Sequence, residues 1–248
     1  MTATDPHKPK WLRLGAILLP AVALALVQCL AVLAGPSPAG AQAKLSRADE
    51  TLLSSFAQRY KGLTSLKAEY IRSTVTPSSD PVFKSQASQT AVGFLYWKKP
   101  YNLRLEQVSP DREDMVVDGK TAWWYIPKEK TAHVYRNLEL DSEFFALMSF
   151  FDGVDELKKN FTISPLPAAE ARGALKGFVL TPTSKEGGGT VVIFCDNVPK
   201  LQGFRLGSAT GERTDFYFTF ISPNATFPPN HFEFVPPKGT EIVEEATE

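Results

Sequence analysis

Apolar residues recur at helical spacing in the segment that ends at Tyr60. The recurring set has intervals of three and four residues and comprises Leu52, Leu53, Phe56 and Tyr60. Ser46 stands before this stripe as a candidate N-cap, with Leu45 preceding it as a hydrophobic staple. The pattern predicts an amphipathic helix whose single apolar stripe faces another layer of the protein.

After Gly62 the hydrophobic period changes from helical spacing to two, which predicts β-strands. The first strand alternates Leu66, Ala68 and Tyr70 with Lys67, Glu69 and Ile71. The next segment, Thr90 to Lys99, is apolar on both faces, and its parity places Leu95, Trp97 and Lys99 on one of them. In the strand from Tyr101 to Val108, Leu103 and Leu105 share a face.

A hairpin is predicted where two short apolar runs flank Asp118-Gly119, a dipeptide that supplies the positive φ angles of a two-residue turn. The runs are Met115 to Val117 and Thr121 to Ile126. Further segments with strand patterns are Thr131–Arg136, Phe161–Ser164, Gly177–Thr181, Thr190–Cys195, Leu201–Leu206, Thr214–Ile221 and His231–Val235. The chain beyond the first helix is therefore expected to be mainly β.

A second helix is predicted from Ser142 to Phe151, behind Asp141 as its cap. Its sequence, SEFFALMSFF, is apolar nearly all round, with the large side chains Phe144, Phe145, Leu147 and Met148. Such a short helix is either sandwiched between layers or adjoins a ligand cavity. Two folds fit these elements: a filled sandwich-like core covered by two helices, or a curved antiparallel sheet enclosing an apolar cavity under a helical lid.

The first 43 residues have the composition of a targeting segment. A basic start precedes an uncharged apolar run from Leu14 to Leu33, and Ala41-Gln42-Ala43 forms a small-x-small cleavage pattern. We therefore assign residues 1–43 to a signal peptide and residues 44–248 to a single domain, since no linker or repeat divides the remainder. An uncleaved membrane anchor and a lipidated Cys29 are the alternatives, and Gln28 argues against lipidation.

Composition narrows the function classes. The 248 residues carry 27 Lys and Arg against 27 Asp and Glu, so bulk charge gives no reason to expect a nucleic-acid partner. Removal of the leader takes Cys29 with it, which leaves Cys195 alone and excludes an intramolecular disulfide. Cys195 stands in an apolar strand, where a buried and inert thiol is expected.

The chain lacks the usual constellations of catalytic or metal-binding residues. Gly119-Lys120-Thr121 resembles the end of a phosphate-binding loop, but it belongs to the predicted hairpin tip. His133 and His231 have no partner at metal-ligand spacing, and no Gly-x-Ser-x-Gly motif occurs. We expect no metal, no cofactor and no enzymatic activity, with a secreted enzyme of unrecognised type as the alternative.

An ordered set of motifs resembles the periplasmic outer-membrane lipoprotein carrier, the LolA family of Gram-negative bacteria. The strongest piece is Val117-Asp118-Gly119-Lys120-Thr121-Ala122-Trp123-Trp124-Tyr125. The others are Leu63 to Ala68, Gly93 to Pro100, Gly177 to Pro182 and Phe232 to Thr240. Together they cover nearly the whole of the expected mature chain in order.

The resemblance implies an incomplete antiparallel β-barrel closed by helices over an apolar cavity. It also implies a monomeric carrier that receives acylated lipoproteins from an inner-membrane ABC transporter and delivers them to an outer-membrane acceptor. The family has Arg before the Pro of the strand motif, associated with holding the lid; here that residue is Lys99. Because Lys is a flexible point charge, a latch at Lys99 is expected to hold more loosely.

If the protein is such a carrier, we expect the acyl chains to contact both the strands and the two predicted helices. The strand residues are Leu95, Trp97, Leu103 and Leu105, of which the last two replace aromatic residues of the family. The helix residues are Leu52, Leu53, Phe56, Phe144, Phe145, Leu147 and Met148. Each of them is equally compatible with a plain core position. A membrane-anchored acceptor or a lipid- or lipoprotein-sensing domain of the same fold is the alternative function.

Overall fold

The computed structural model describes residues 43–77, 87–136, 154–171, 173, 175–183, 189–208 and 211–245. The predicted second helix, with Phe144, Phe145, Leu147 and Met148, lies outside these residues, as does the predicted leader up to residue 42. Among the described residues no helix is both long enough and apolar enough to cross a membrane.

The helices of the described part are α1 (Arg47–Tyr60) and α2 (Val154–Asn160). The strands are β1 (Ser65–Thr76), β2 (Ala87–Lys98), β3 (Asn102–Ser109), β4 (Glu113–Val117), β5 (Thr121–Ile126), β6 (Thr131–Arg136), β7 (Phe161–Pro165), β8 (Lys176–Pro182), β9 (Thr190–Cys195), β10 (Leu201–Gly207), β11 (Arg213–Pro223) and β12 (Glu241–Glu245). The mainly β class predicted from the sequence is confirmed.

Helix α1 begins at the predicted cap. The Ser46 hydroxyl accepts a hydrogen bond from the Asp49 backbone N–H, and the Asp49 carboxylate accepts one from the Ser46 backbone N–H. This reciprocal pair satisfies two backbone donors that the helix end would otherwise leave without partners. The cap therefore fixes where the helix starts and how its apolar stripe is oriented.

The strands form a single sheet in the order β12-β6-β5-β4-β3-β2-β1-β11-β10-β9-β8-β7. Neighbouring strands run antiparallel, except that β12 pairs with β6 in parallel. Strands β12 and β7 stand at opposite ends of this order, so the sheet does not close on itself. The open, mostly antiparallel sheet agrees with the incomplete antiparallel barrel that the family resemblance implies, whereas the helical lid and the apolar cavity stay predictions.

The two faces of the sheet have different coverings. We call the face that carries α1 the inner face and the opposite one the outer face. On the outer face, the segment between β11 and β12 packs its aromatic rings against β2 and β5: Phe227 and His231 contact Tyr96, and Phe234 contacts Trp123 and Tyr125. This segment then leads into β12 at the edge of the sheet.

The prediction of a strand from His231 to Val235 is wrong. The residues form turns and irregular backbone, and the His231 N–H donates to the Pro228 carbonyl rather than to a neighbouring strand. Alternation arises here because Phe232 is buried while Glu233 is exposed, with the segment lying flat on the outer face. An alternating pattern shows that one side of a segment is buried. It does not show that the segment pairs with a neighbouring strand through backbone hydrogen bonds.

Candidate functional site

The inner face carries two apolar rows that cross β1 to β5 without interruption. Cross-strand pairing aligns the first row as Leu66, Trp97, Leu103, Val117 and Ala122. It aligns the second as Ala68, Leu95, Leu105, Met115 and Trp124. All of these residues are buried and belong to one hydrophobic cluster. The strand residues predicted for the site therefore lie side by side on one face.

Helix α1 packs against the same cluster. Leu53 and Phe56 are buried in it, and Leu52 packs at its margin with partial exposure. At the end of the helix, the Tyr60 hydroxyl accepts a hydrogen bond of 2.9 Å from the Leu201 backbone N–H on β10. The structure thus brings these three predicted helix residues together with the four strand residues. Their contact with a lipid stays a prediction.

The other half of the sheet extends the apolar surface in a way that the sequence reasoning missed. Helix α2 adds Leu157, and strands β8 to β11 add Phe178, Leu180, Val191, Ile193, Phe204 and Phe216. The available signal was the spacing of two between Phe178 and Leu180, and between Val191 and Ile193, which places each pair on one face of its strand. The face could not be assigned from the sequence because the residues between them are apolar as well. The inner face is therefore larger than the proposed set of lipid-contacting residues.

Lys99 lies just beyond the last residue of β2. Its backbone N–H donates to the Thr64 carbonyl at 2.9 Å, which ties the strand end to the chain that leads from α1 into β1. The residue as a whole is half-buried. Lys99 therefore stands at the end of the inner face nearest the end of α1, and its role as a lid latch stays a prediction.

The apolar rows give way to polar residues further along the same face. The Arg72 Nη2 donates to the Gln107 Oε1 at 2.8 Å, and the Gln107 Nε2 donates to the Glu113 Oε1 at 3.0 Å. The Trp124 Nε1 donates to the other carboxylate oxygen, Oε2, at 3.1 Å. Arg72 and Gln107 are buried, so this is a buried polar network at one border of the apolar surface.

Burial shifts the pKa of both charged members of this network. It lowers the pKa of the Arg72 guanidinium, while the Tyr70 and Glu113 groups act in the opposite direction. It raises the pKa of the Glu113 carboxyl, against the hydrogen bond from Trp124 and the charge of Arg72. Both shifts show that burial at this border of the inner face disfavours the charged form of each side chain.

The predicted burial of Cys195 is confirmed. Its side chain is fully buried in the apolar cluster, and burial raises the pKa of the thiol to about 11. A protonated and inaccessible thiol is a poor nucleophile. Across the residues that the structure describes, no group of three or more His, Cys, Asp or Glu side chains could hold a metal ion.

The protein belongs to the class of mainly β proteins that have one open, mostly antiparallel sheet. The inner face of this sheet is largely apolar, and helix α1 packs against it. The family model described as outer membrane lipoprotein carrier protein LolA matches residues 65–235. The chain belongs to this family.

Relatives support the match over most of the chain. An outer-membrane lipoprotein carrier protein from Methylococcus capsulatus is 27% identical over 201 residues, which cover 81% of this chain and 91% of the relative. One from Dechloromonas aromatica is 28% identical over 186 residues, 75% of this chain and 84% of the relative. A crystal structure of an uncharacterized conserved protein from Thermus thermophilus aligns with 80% of this chain and 100% of its own, at 10% identity and a TM-score of 0.43.

Proposed function

We propose that this protein is a periplasmic carrier that binds the acyl chains of lipoproteins on its inner face. The observation that supports this most directly is the pair of uninterrupted apolar rows, which form one hydrophobic cluster with the buried residues of α1. Family membership supports the cargo class, since the relatives are named as lipoprotein carriers. Residues 1–43 serve as the export signal in this proposal.

The energetics explain why such a cargo needs a carrier. Each buried methylene is worth ~0.8 kcal/mol, so transfer of one long acyl chain into water costs roughly 10 kcal/mol. A carrier has to offer an apolar surface of similar extent and must keep that surface covered when it is empty, because an exposed patch promotes aggregation. The inner face provides the surface, and α1 provides part of the cover.

Helix α1 has the properties of a cover that can be displaced. It is held on the sheet largely by side-chain packing of Leu53, Phe56 and Tyr60, whereas the strands are held by continuous backbone ladders. Displacement of α1 leaves those ladders intact. In this proposal α1 and the predicted helix from Ser142 to Phe151 form the lid over an apolar cavity, and Lys99 acts as its latch.

The partners follow from the direction of transport. An inner-membrane ABC transporter supplies the acylated lipoprotein, and an outer-membrane acceptor receives it. The carrier acts as a monomer and catalyses no chemical step. Its work is binding and release, so a loose latch at Lys99 favours release.

The test is capture of cargo from membranes. Vesicles containing the lipoprotein-releasing transporter and an acylated lipoprotein are incubated with the purified mature protein and ATP, and the released fraction is separated by size-exclusion chromatography. We expect acylated lipoprotein to co-elute with the protein. The matched control is the same lipoprotein with its acylated Cys replaced by Ser. Equal recovery of both forms, or recovery of neither when a known carrier succeeds, would refute the proposal.

A further inference from the structure

Arg72 is a charged side chain at the polar border of the inner face, and it is only 6% exposed. It follows Leu66, Ala68 and Tyr70 on the inner side of β1. Its direct neighbours across the sheet are Ala91 on β2 and Phe216 on β11, neither of which offers a polar side chain. The guanidinium therefore depends on groups further away for its hydrogen bonds.

The groups within reach of Arg72 accept few of the hydrogen bonds that its guanidinium can donate. A guanidinium has five N–H donors, and the hydrogen bond that the structure shows for Arg72 goes from Nη2 to Gln107. Its Nε is buried and has no hydrogen-bond partner among the described residues. Glu113 is reached only through Gln107, and the two charges form no direct ion pair in the described part of the chain.

Another buried arginine in the same protein has a hydrogen-bond partner at each of its three nitrogens. Arg205 on the outer face donates from Nε and Nη2 to both oxygens of Asp215, at 2.6 and 3.3 Å, and from Nη1 to Glu170 at 2.8 Å. This is the arrangement expected for an arginine that only stabilises the fold, because each direction of the fork meets an acceptor. Arg72 differs because its buried Nε has no hydrogen-bond partner among the described residues.

We propose that Arg72 binds the carbonyl oxygens through which the acyl chains of the cargo are attached, and so sets the direction in which the chains enter. The inference rests on the proposed function, since it requires acyl chains along the apolar rows. From Leu66 to Arg72 the strand spans roughly 20 Å, comparable with an extended long-chain acyl group. The tails lie over the apolar rows, and the ester or amide carbonyls meet Arg72.

The charge balance favours a neutral acceptor over an anion. Arg72 and Glu113 are linked through Gln107, so the network has no net charge when both groups are ionised. An ester or amide carbonyl fills an empty donor without disturbing that balance, whereas a carboxylate or phosphate adds a second negative charge near Glu113. Partial compensation by Glu113 thus favours carbonyl groups as the ligand.

The experiment compares two lipids that differ only in these carbonyls: a diacylglycerol with ester linkages and the dialkyl ether of the same chain lengths, each displacing a fluorescent acyl probe. We expect the wild-type protein to prefer the ester by roughly tenfold or more, as for a hydrogen bond to a charged donor. Arg72→Met removes the preference, and Arg72→Lys keeps part of it. The control Lys200→Met, which removes one charge from an exposed turn, leaves the preference unchanged.

The other outcomes separate the hypotheses. If the wild-type protein binds neither lipid, the proposed function fails as well. If it binds both, and the preference is absent or survives Arg72→Met, the carrier function stands and the role of Arg72 is refuted. A fatty acid is tested in parallel: if Arg72→Met weakens only the fatty acid, the site binds oxyanions and the carbonyl proposal is wrong. If Arg72→Met does not fold, the Arg72→Lys preference decides, and an unchanged ratio refutes the proposal.

Discussion

Replacement of Leu105 by Gln tests whether the centre of the inner face binds acyl chains. Leu105 is 6% exposed and pairs directly with Leu95 on one side and Met115 on the other. Gln has a similar length but places an amide between two apolar neighbours. The lost burial of Leu costs about 1.5–3 kcal/mol, and an amide without partners costs about 1–3 kcal/mol more.

The expected loss of stability is therefore about 2.5–6 kcal/mol. A domain of this size loses about 2–4 °C in melting temperature per kcal/mol, so the transition should fall by about 5–24 °C, and Kd is measured below the lowered transition. For binding, loss of apolar contact with about two methylenes removes ~1.6 kcal/mol, which raises Kd roughly tenfold.

Both quantities are measurable on the same samples. Melting is followed by circular dichroism, and Kd by displacement of a fluorescent acyl probe. The control is Val108→Gln on the same strand, where the side chain is 59% exposed and neither quantity should change. If Leu105→Gln lowers the melting temperature as calculated but leaves Kd unchanged, Leu105 is a core residue and the placement of acyl chains over it is wrong.

Three further changes test the latch, the sheet and the polar network. Lys99→Arg should slow cargo release to an acceptor without changing the melting temperature, because the planar fork holds a lid more firmly. Gly93→Ala should cost about 1–3 kcal/mol in urea unfolding, because its Cβ would meet the Glu106 carbonyl and lie 2.7 Å from the Tyr70 hydroxyl. Burial raises the folded pKa of Glu113, so its contribution to stability is present below the unfolded pKa and is lost as pH rises through the folded pKa. Glu113→Gln should abolish this loss, which is measured by urea unfolding at increasing pH.

Local sequence patterns predicted the elements that are determined by interactions between residues close to each other in the chain. The predicted hairpin forms, but its turn is centred on Gly119 and Lys120 instead of Asp118 and Gly119, because the Asp118 N–H donates to the Thr121 carbonyl. Gly119 has a positive φ of 93°, and the Asp118 carboxylate accepts from the Lys120 and Thr121 N–H groups. Parity placed Leu95 with Trp97 on one face of β2, and Leu103 with Leu105 on one face of β3, because side chains alternate strictly along a strand. These features need no knowledge of the rest of the chain.

Features that depend on tertiary contacts could not be predicted in the same way. Arg72 near the end of an alternating strand resembles a solvated charge, and only the assembled sheet shows it buried beside Gln107. Strand β12 was missed because its sequence, EIVEE, is mostly charged, and it forms by pairing with β6 more than a hundred residues earlier. The short helix α2 presents one buried residue, Leu157, which is too little for a periodic signal.

The proposed lid has an energetic consequence for how cargo is loaded. Displacement of α1 would expose Leu53, Phe56 and Tyr60, at about 1.5–3 kcal/mol for each large apolar side chain, or about 5–9 kcal/mol in all. An open state at that free energy is populated at roughly one part in ten thousand or less, and the apparent affinity for cargo is reduced by the same fraction. One long acyl chain contributes roughly 10 kcal/mol, which exceeds this cost, so lipid in water still binds, but more weakly than it would to an open carrier. A partner at the membrane that held α1 aside would remove the cost, and we therefore expect such a partner to strengthen loading as the acyl chains leave the bilayer.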